Sequence, residues 1–139
     1  MEQREAVICL WFEMWLKKVD LGISKLFSDG AVYVESWGPR YEGAAKIKLW
    51  FDEWNRRGTV VQWEIKQFIH SEKQTITEWK FKAEMDSGSV EEFDGVSLVE
   101  WSQEGKIVFL KEFGCNIHNY DPYQAGDKPQ FREEATLWF

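Results

Sequence analysis

From residue 59 to residue 115 the chain alternates apolar and polar side chains in four long runs, each parted from the next by a short stretch of turn residues. The runs are TVVQWEIKQFIH (59–70), TITEWKFKAEM (75–85), VEEFDGVSLVEW (90–101) and KIVFLKEFGC (106–115), with SEKQ, DSGS and SQEG between them. A period of two sends successive side chains to opposite faces, and connections this short join antiparallel neighbours. The spacing therefore predicts a four-strand meander. In its first strand Val61, Trp63, Ile65 and Ile69 share a face; in its second Trp79, Phe81 and Ala83 oppose Glu78, Lys80 and Lys82. Gly95, inside the third, reads as a bulge or bend that curves the sheet.

A sheet with one apolar face needs a cover, and the sequence supplies it first. Residues 5–18 place Val7, Leu10, Trp11, Met14 and Trp15 on one helical stripe. Asp20 is placed to cap a short second helix carrying Ile23, Leu26 and Phe27, closed by Ser-Asp-Gly at 28–30. A strand, AVYVE, follows. Residues 43–57 are helical again, with Ile47, Trp50, Phe51 and Trp54 as the stripe and Gly58 as the stop. Helices followed by a curved sheet define an α+β fold, the sheet wrapping around the first helix to leave a cone with a cavity. The length, 139 residues, suits one domain, with an irregular tail from about 119 to 139. The tail ends in Leu-Trp-Phe, so Phe131, Leu137, Trp138 and Phe139 are expected to dock on the body or on a partner subunit.

Charge and composition narrow the partners. A net charge of −7 argues against nucleic acid and anionic membranes. The most apolar helix, VICLWFEMWL, is broken by Glu13 and followed by Lys17 and Lys18, and the MEQRE opening does not match a secretory signal. Cys9 and Cys115, one in a helical and one in a strand pattern, are expected as two buried free thiols in a reducing cytosol, so the expected location is cytoplasmic. With no His pair at ligand spacing, no Cys cluster and no glycine-rich phosphate loop, neither metal nor other cofactor is expected. A hydrophobic small molecule and other protein chains remain as partners. Aromatic residues make up 17% of the chain, nine of them Trp, more than one small core can bury. Rigid, flat side chains suit cavity walls and subunit interfaces, and a homodimer through the convex face, with Gln62 and Phe68 on it, is expected.

One stretch carries the chemistry: AVYVESWGPRYEG, residues 31–43. As a strand it puts Val32 and Val34 on one face and Tyr33, Glu35 and Trp37 on the other, ahead of a turn in which Pro39 fixes the chain direction and Gly38 lets it swing away. Alternation alone leaves Glu35 as either a rim charge or a carboxylate held in an apolar cavity. The stretch FSDGAVYVESWG resembles the ketosteroid isomerase and SnoaL-like branch of the nuclear transport factor 2-like superfamily. Steroid isomerases read Ala-Thr-Val-Glu-Asp-Pro-Val-Gly here, and AVYVESWG aligns without gaps. GKIVFLKEFGCNIH (105–118) is also similar to the family's last strand, down to Asn-Ile-His. The resemblance spans roughly residues 5 to 118. It implies Glu35 in the place of the catalytic Asp, a general base whose pKa burial raises. It also implies Trp11 where steroid isomerases carry an oxyanion-hole Tyr, and Ser97 near their second donor.

Further candidates come from patterning. Glu112 shares a face with Val108 and Leu110, which suits either a second acid on a cavity or a salt bridge across the sheet; Glu100, beside Val96 and Leu98, poses the same choice. His118 follows the last strand and is placed to reach a pocket mouth, whereas His70 ends a strand and is expected to be exposed. Trp11, Trp15, Tyr33, Trp37, Trp50, Trp54, Trp63, Trp79 and Trp101 are candidate walls. The function expected is a cofactor-independent isomerase, cyclase or lyase acting on a flat hydrophobic molecule, with Glu35 as base. The alternative is a non-catalytic ligand-binding or assembly module of the same fold. What separates them is whether Glu35 and Glu112 meet at one apolar cavity.

Overall fold

The computed structural model describes residues 1–132. In chain order the elements are α1 (Glu2–Lys17), α2 (Ile23–Leu26), β1 (Phe27–Val34), β2 (Arg40–Glu42), α3 (Ala44–Arg57), β3 (Gly58–His70), β4 (Gln74–Met85), β5 (Val90–Trp101) and β6 (Ile107–Cys115). The strands form one curved, unclosed sheet in the order β2-β1-β6-β5-β4-β3. Every neighbouring pair is antiparallel except β1 and β6, which run parallel. α1 packs on β3 and α3 on β1, closing the inner face into an α+β cone.

α1 is apolar over most of its circumference, so the sheet chooses which stripe it buries. That stripe is Ile8, Trp11, Phe12 and Trp15, with Met14 beside it; Val7 and Leu10 only edge the core. Phe12 stacks flat on Trp63 of β3, ring centroids 3.9 Å apart at 9°. Lys18, in the left-handed conformation (φ 58°), ends the helix by returning its N–H to the last turn. Asp20 caps α2 as its sequence suggests, its Oδ1 accepting from the N–H groups of Gly22 (2.7 Å) and Ile23 (2.8 Å). Ser-Asp-Gly at 28–30 does not close that helix. It lies inside β1, which begins at the buried Phe27. Gly58, in extended backbone, caps α3 as expected and also opens β3.

The meander stands, but its faces shift. β3 slips register against β4 between Val60 and Gln62 and again between Ile65 and Gln67. Each extra residue flips the side chains that follow, so Val60, Trp63, Ile65 and Phe68 face the core while Val61 and Ile69 are exposed. Phe68 is therefore not on the convex face. In β6 a shift near Glu100 and Trp101 puts Ile107, Leu110 and Glu112 inward and leaves Val108 out of phase. His70 is not exposed: its Nε2 lies 2.7 Å from Glu5 Oε2 of α1 and its Nδ1 2.8 Å from Thr75 Oγ1. Cys9 and Cys115 are free but exposed, one on the outer side of α1 and one at the end of β6.

Gly95 holds its register with both Trp79 and Gly114, so no bulge falls there. Its role is close approach. A Cβ at this position would stand 2.5 Å from Trp79 Cη2 and 2.4 Å from the Phe113 carbonyl oxygen. The indole of Trp79 thus lies on the bare backbone of β5. Gly95→Ala should cost about 1–3 kcal/mol through overpacking, read as a lower denaturant midpoint at unchanged slope.

Residues 119–132 fold back on themselves. Gln130 N–H donates to the Pro122 carbonyl (2.7 Å), Arg132 N–H to Tyr120 Oη (3.0 Å), and the Arg132 guanidinium lies 3.9 Å over the Tyr120 ring. Phe131, expected to be buried, is 70% exposed because these local contacts direct it outward. Leu137, Trp138 and Phe139 lie outside the described residues.

Candidate active site

The parallel pairing of β1 with β6 brings the two carboxylates together. The register Tyr33↔Leu110 and Val34↔Lys111 puts Glu35, the next residue, level with Glu112 on the neighbouring strand. Tyr33 and Leu110 are buried and Lys111 is exposed, so the alternation turns Glu35 and Glu112 to the inner face. Glu35 begins a tight turn: its N–H donates to the Pro39 carbonyl (2.9 Å) and its carbonyl accepts from Gly38 (3.2 Å), Gly38 taking the φ of 129° that glycine tolerates. The turn folds β2 back on β1 with Tyr41 opposite Tyr33. Tyr41 Oη then donates to Glu35 Oε2 at 2.7 Å, and the Trp37 side chain gives Glu35 a second hydrogen bond.

Behind Glu112 runs a buried relay. Trp11 Nε1 donates to Tyr33 Oη (3.3 Å), which leaves the Tyr33 hydroxyl proton to bond Glu112 Oε2 at 2.8 Å. Both carboxylates open on a cavity of about 710 Å³. Trp15, Trp50, Trp54, Trp63, Trp79, Phe81 and Phe93 wall it. Tyr41 lies flat on Trp50, centroids 4.7 Å apart at 14°, and Trp15 meets Trp50 and Trp54 at 4.9 and 5.4 Å. Charged groups stand along the remaining rim: Glu53 and Arg57 of α3, paired at 3.2 Å, and Glu91 and Glu92 of β5. The indole N–H groups of Trp15 and Trp63 are buried without a partner among the described residues.

The electrostatics separate the carboxylates. Burial raises the Glu112 carboxyl to about 8; the hydrogen bond from Tyr33 opposes the rise and the charge of Glu35 adds to it. Burial raises Glu35 as well, but the hydrogen bonds from Tyr41 and Trp37 hold it back. Burial alone raises Glu91, and the Glu91 charge adds to the rise at Glu35. Tyr33 and Tyr41 are pushed upward, mainly by burial. Near neutral pH, therefore, Glu112 holds its proton, and of the two, Glu35 ionises first.

Of the residues picked from the sequence, Glu35, Glu112, Trp15, Trp37, Trp50, Trp54, Trp63 and Trp79 line this cavity, Trp37 at the mouth and 58% exposed. Tyr33 and Trp11 stand behind it, fully buried. Four lie elsewhere. Ser97 is buried beneath the wall, its Oγ accepting from Trp79 Nε1 at 2.9 Å. Trp101 donates to Thr75 Oγ1 (3.0 Å) under the Arg4 guanidinium. His118 follows β6 in exposed chain whose turn Asn116 fixes. Glu100 lies on the outer face, accepting from Gln74 at 2.9 Å. Tyr41, Glu91, Phe81 and Phe93 were not singled out from the sequence. The signal for Tyr41 was the Trp-Gly-Pro turn itself: a turn between VYVE and RYE makes a hairpin, and a hairpin makes cross-strand neighbours.

A cone of helices within a curved sheet defines the nuclear transport factor 2-like fold. Residues 10–110 match the SnoaL-like domain family, and the chain belongs to that family. Among solved structures it is similar to a candidate isomerase from Bacillus subtilis (17% identity, TM-score 0.72, covering 82% of this chain and 87% of that one). An LEH-like epoxide hydrolase from M. tuberculosis is similar at 11% identity and TM-score 0.72, over 82% and 84% of the two chains. So is a protein of ketosteroid isomerase-like fold from Catenulispora acidiphila in complex with trimethylamine, at 13% identity and TM-score 0.65, over 77% and 83%. At these identities the likeness is one of fold. No curated protein matches the chain.

Proposed function

We propose that the protein is a cofactor-independent isomerase, cyclase or lyase that moves a proton within a hydrophobic small molecule. The observation that carries this reading is the meeting of Glu35 and Glu112 on one aromatic cavity with unequal hold on their protons. Glu35, its Oε2 engaged by Tyr41, takes a proton from carbon next to a carbonyl of the ligand. Glu112 accepts from Tyr33 on Oε2, so the proton it holds belongs on Oε1, and it gives that proton to the developing oxyanion or to a second carbon. Glu35 ends protonated and Glu112 ionised, and exchange with water at the open mouth resets both. Tyr33 and Trp11 are positioning residues for Glu112.

A second reading, a ligand-binding module without turnover, has one observation in its favour. Of the two donor positions that the steroid isomerase pattern assigns, Ser97 is occupied by Trp79 and Trp11 by Tyr33, so neither reaches the cavity. The two readings part on solvent deuterium. Wild-type protein incubated in D2O with a panel of aryl and alicyclic ketones should label the acidic C–H positions of at least one. Binding without labelling across the panel favours the module.

The protein is further proposed to act as a cytoplasmic homodimer. Ile76 and Phe113 on the outer face of the sheet are exposed, with Val96, Leu98 and Phe109 half-buried beside them. Light scattering at micromolar concentration should return twice the 16.5 kDa chain mass; a monomer removes the claim.

A further inference from the structure

The geometry points to an organic ammonium ion as the ligand of this cavity: a hydrophobic amine whose cationic head stands among Glu35, Glu91 and Glu112 against the tryptophan wall. It rests on the proton-transfer cavity described above and names the class of molecule that enters it.

The first ground is a missing partner. Buried charges in proteins are paired, because an enclosed carboxylate without a counter-charge loses several kcal/mol of hydration. None of the ion pairs among the described residues includes Glu35 or Glu112, both half-buried, or Glu91, which is exposed at the rim. Their neighbours are neutral hydrogen-bond donors or other acids: Tyr41 and Trp37 for Glu35, Tyr33 for Glu112. Arg57, the one cation lining the cavity among the described residues, is held by Glu53 at the exposed rim.

The second ground is the wall. Trp15, Trp50, Trp54 and Tyr41 meet at 4.7 to 5.4 Å with mixed ring angles, so ring faces and edges turn in several directions around one space. Aromatic faces attract an alkylammonium head by their quadrupole while accepting its methyl groups as hydrophobic surface. Acids and aromatic faces favour the same ligand.

Binding should then depend on pH. Around the head stand Glu35 from the turn after β1, Glu53 and Arg57 from α3, Glu91 and Glu92 from β5, and Glu112 from β6. Tyr33 and Tyr41, shifted upward, stay neutral throughout. A cation favours the ionised carboxylates, so it expels protons as it binds, and its affinity rises with pH until Glu112 is ionised, near 8.

The test is an isosteric pair, phenyltrimethylammonium and tert-butylbenzene, which differ in charge and hardly in shape. Titrated at pH 8 by tryptophan fluorescence, the cation should bind at least about tenfold more tightly, its affinity should fall about tenfold by pH 6, and that of tert-butylbenzene should stay level. Glu91→Gln should weaken only the cation. Equal or tighter binding of tert-butylbenzene, or no binding of the cation, overturns the inference. Deuterium labelling of ketones is a separate readout, so proton transfer can fail with cation preference intact, and the reverse.

Discussion

Glu35→Gln should lower proton exchange between solvent and ligand by about 10²–10⁴-fold, the usual contribution of a positioned general base. The amide keeps the shape of the carboxylate, and its oxygen still accepts from Tyr41, so the turn at 35–39 and the cavity wall should persist. What disappears is the basic lone pair. Near-isosteric replacement predicts that kcat falls with little change in KM for a neutral ligand. Retained labelling in Glu35→Gln would move the base elsewhere, with Glu91 the next carboxylate on the same cavity.

Glu112→Gln should alter stability more than any other single change at the site, by an amount that grows as pH rises above about 4.5. The folded carboxyl keeps its proton up to about 8, while the unfolded one releases it near 4.5. Between those values the unfolded chain binds fewer protons, so wild-type stability falls as pH rises through the window and levels off outside it. A displacement of roughly 3.5 units corresponds to about 5 kcal/mol in full, of which about 4 kcal/mol develops between pH 5 and pH 9. Glu35 and Glu91, also raised, act in the same direction in both proteins and cancel in the difference. At pH 5 wild type and Glu112→Gln should unfold nearly together, Gln taking the Tyr33 hydrogen bond on its carbonyl. At pH 9 the variant should be the more stable by about 4 kcal/mol, or about 8–16 °C in Tm. Parallel melting curves at the two pH values would mean that water reaches the Glu112 carboxyl.

The sheet was legible because period-two alternation broken by short turns has few readings, and four strands fell within a residue or two of their places. What alternation does not carry is the count of residues at a bulge. Val61 and Ile69 were assigned inward because the slips at 60–62 and 65–67 have no marker in composition. The helices were found, but α1 has apolar side chains on so many sides that only the sheet could choose between Val7–Leu10 and Ile8–Phe12. Glu35 and Glu112 were found one strand at a time. Their proximity depends on a parallel pairing between segments some 80 residues apart, which no local pattern encodes. Ser97 and Trp101 were misplaced for a related reason: inward-facing side chains of a long curved strand can be sealed under the wall or lie at its far end, and alternation treats them all alike.

The hydrogen-bonded ladder between β1 and β6 also sets what this architecture can vary. Glu35 follows directly on β1 and Glu112 lies in β6, parallel strands whose backbones lie about 4.8 Å apart wherever sheets form, so the spacing of the proposed base and acid follows largely from backbone geometry. The surfaces that would meet the rest of a ligand come from other elements: Trp50 and Trp54 from α3, Tyr41 from β2, Phe81 from β4, Glu91 and Phe93 from β5. Substitutions in those walls can reshape the guest while the proton path keeps its dimensions. On the proposed reading, selectivity and reactivity would be inherited on separate pieces of chain, and a change of substrate would not need to begin with a loss of chemistry.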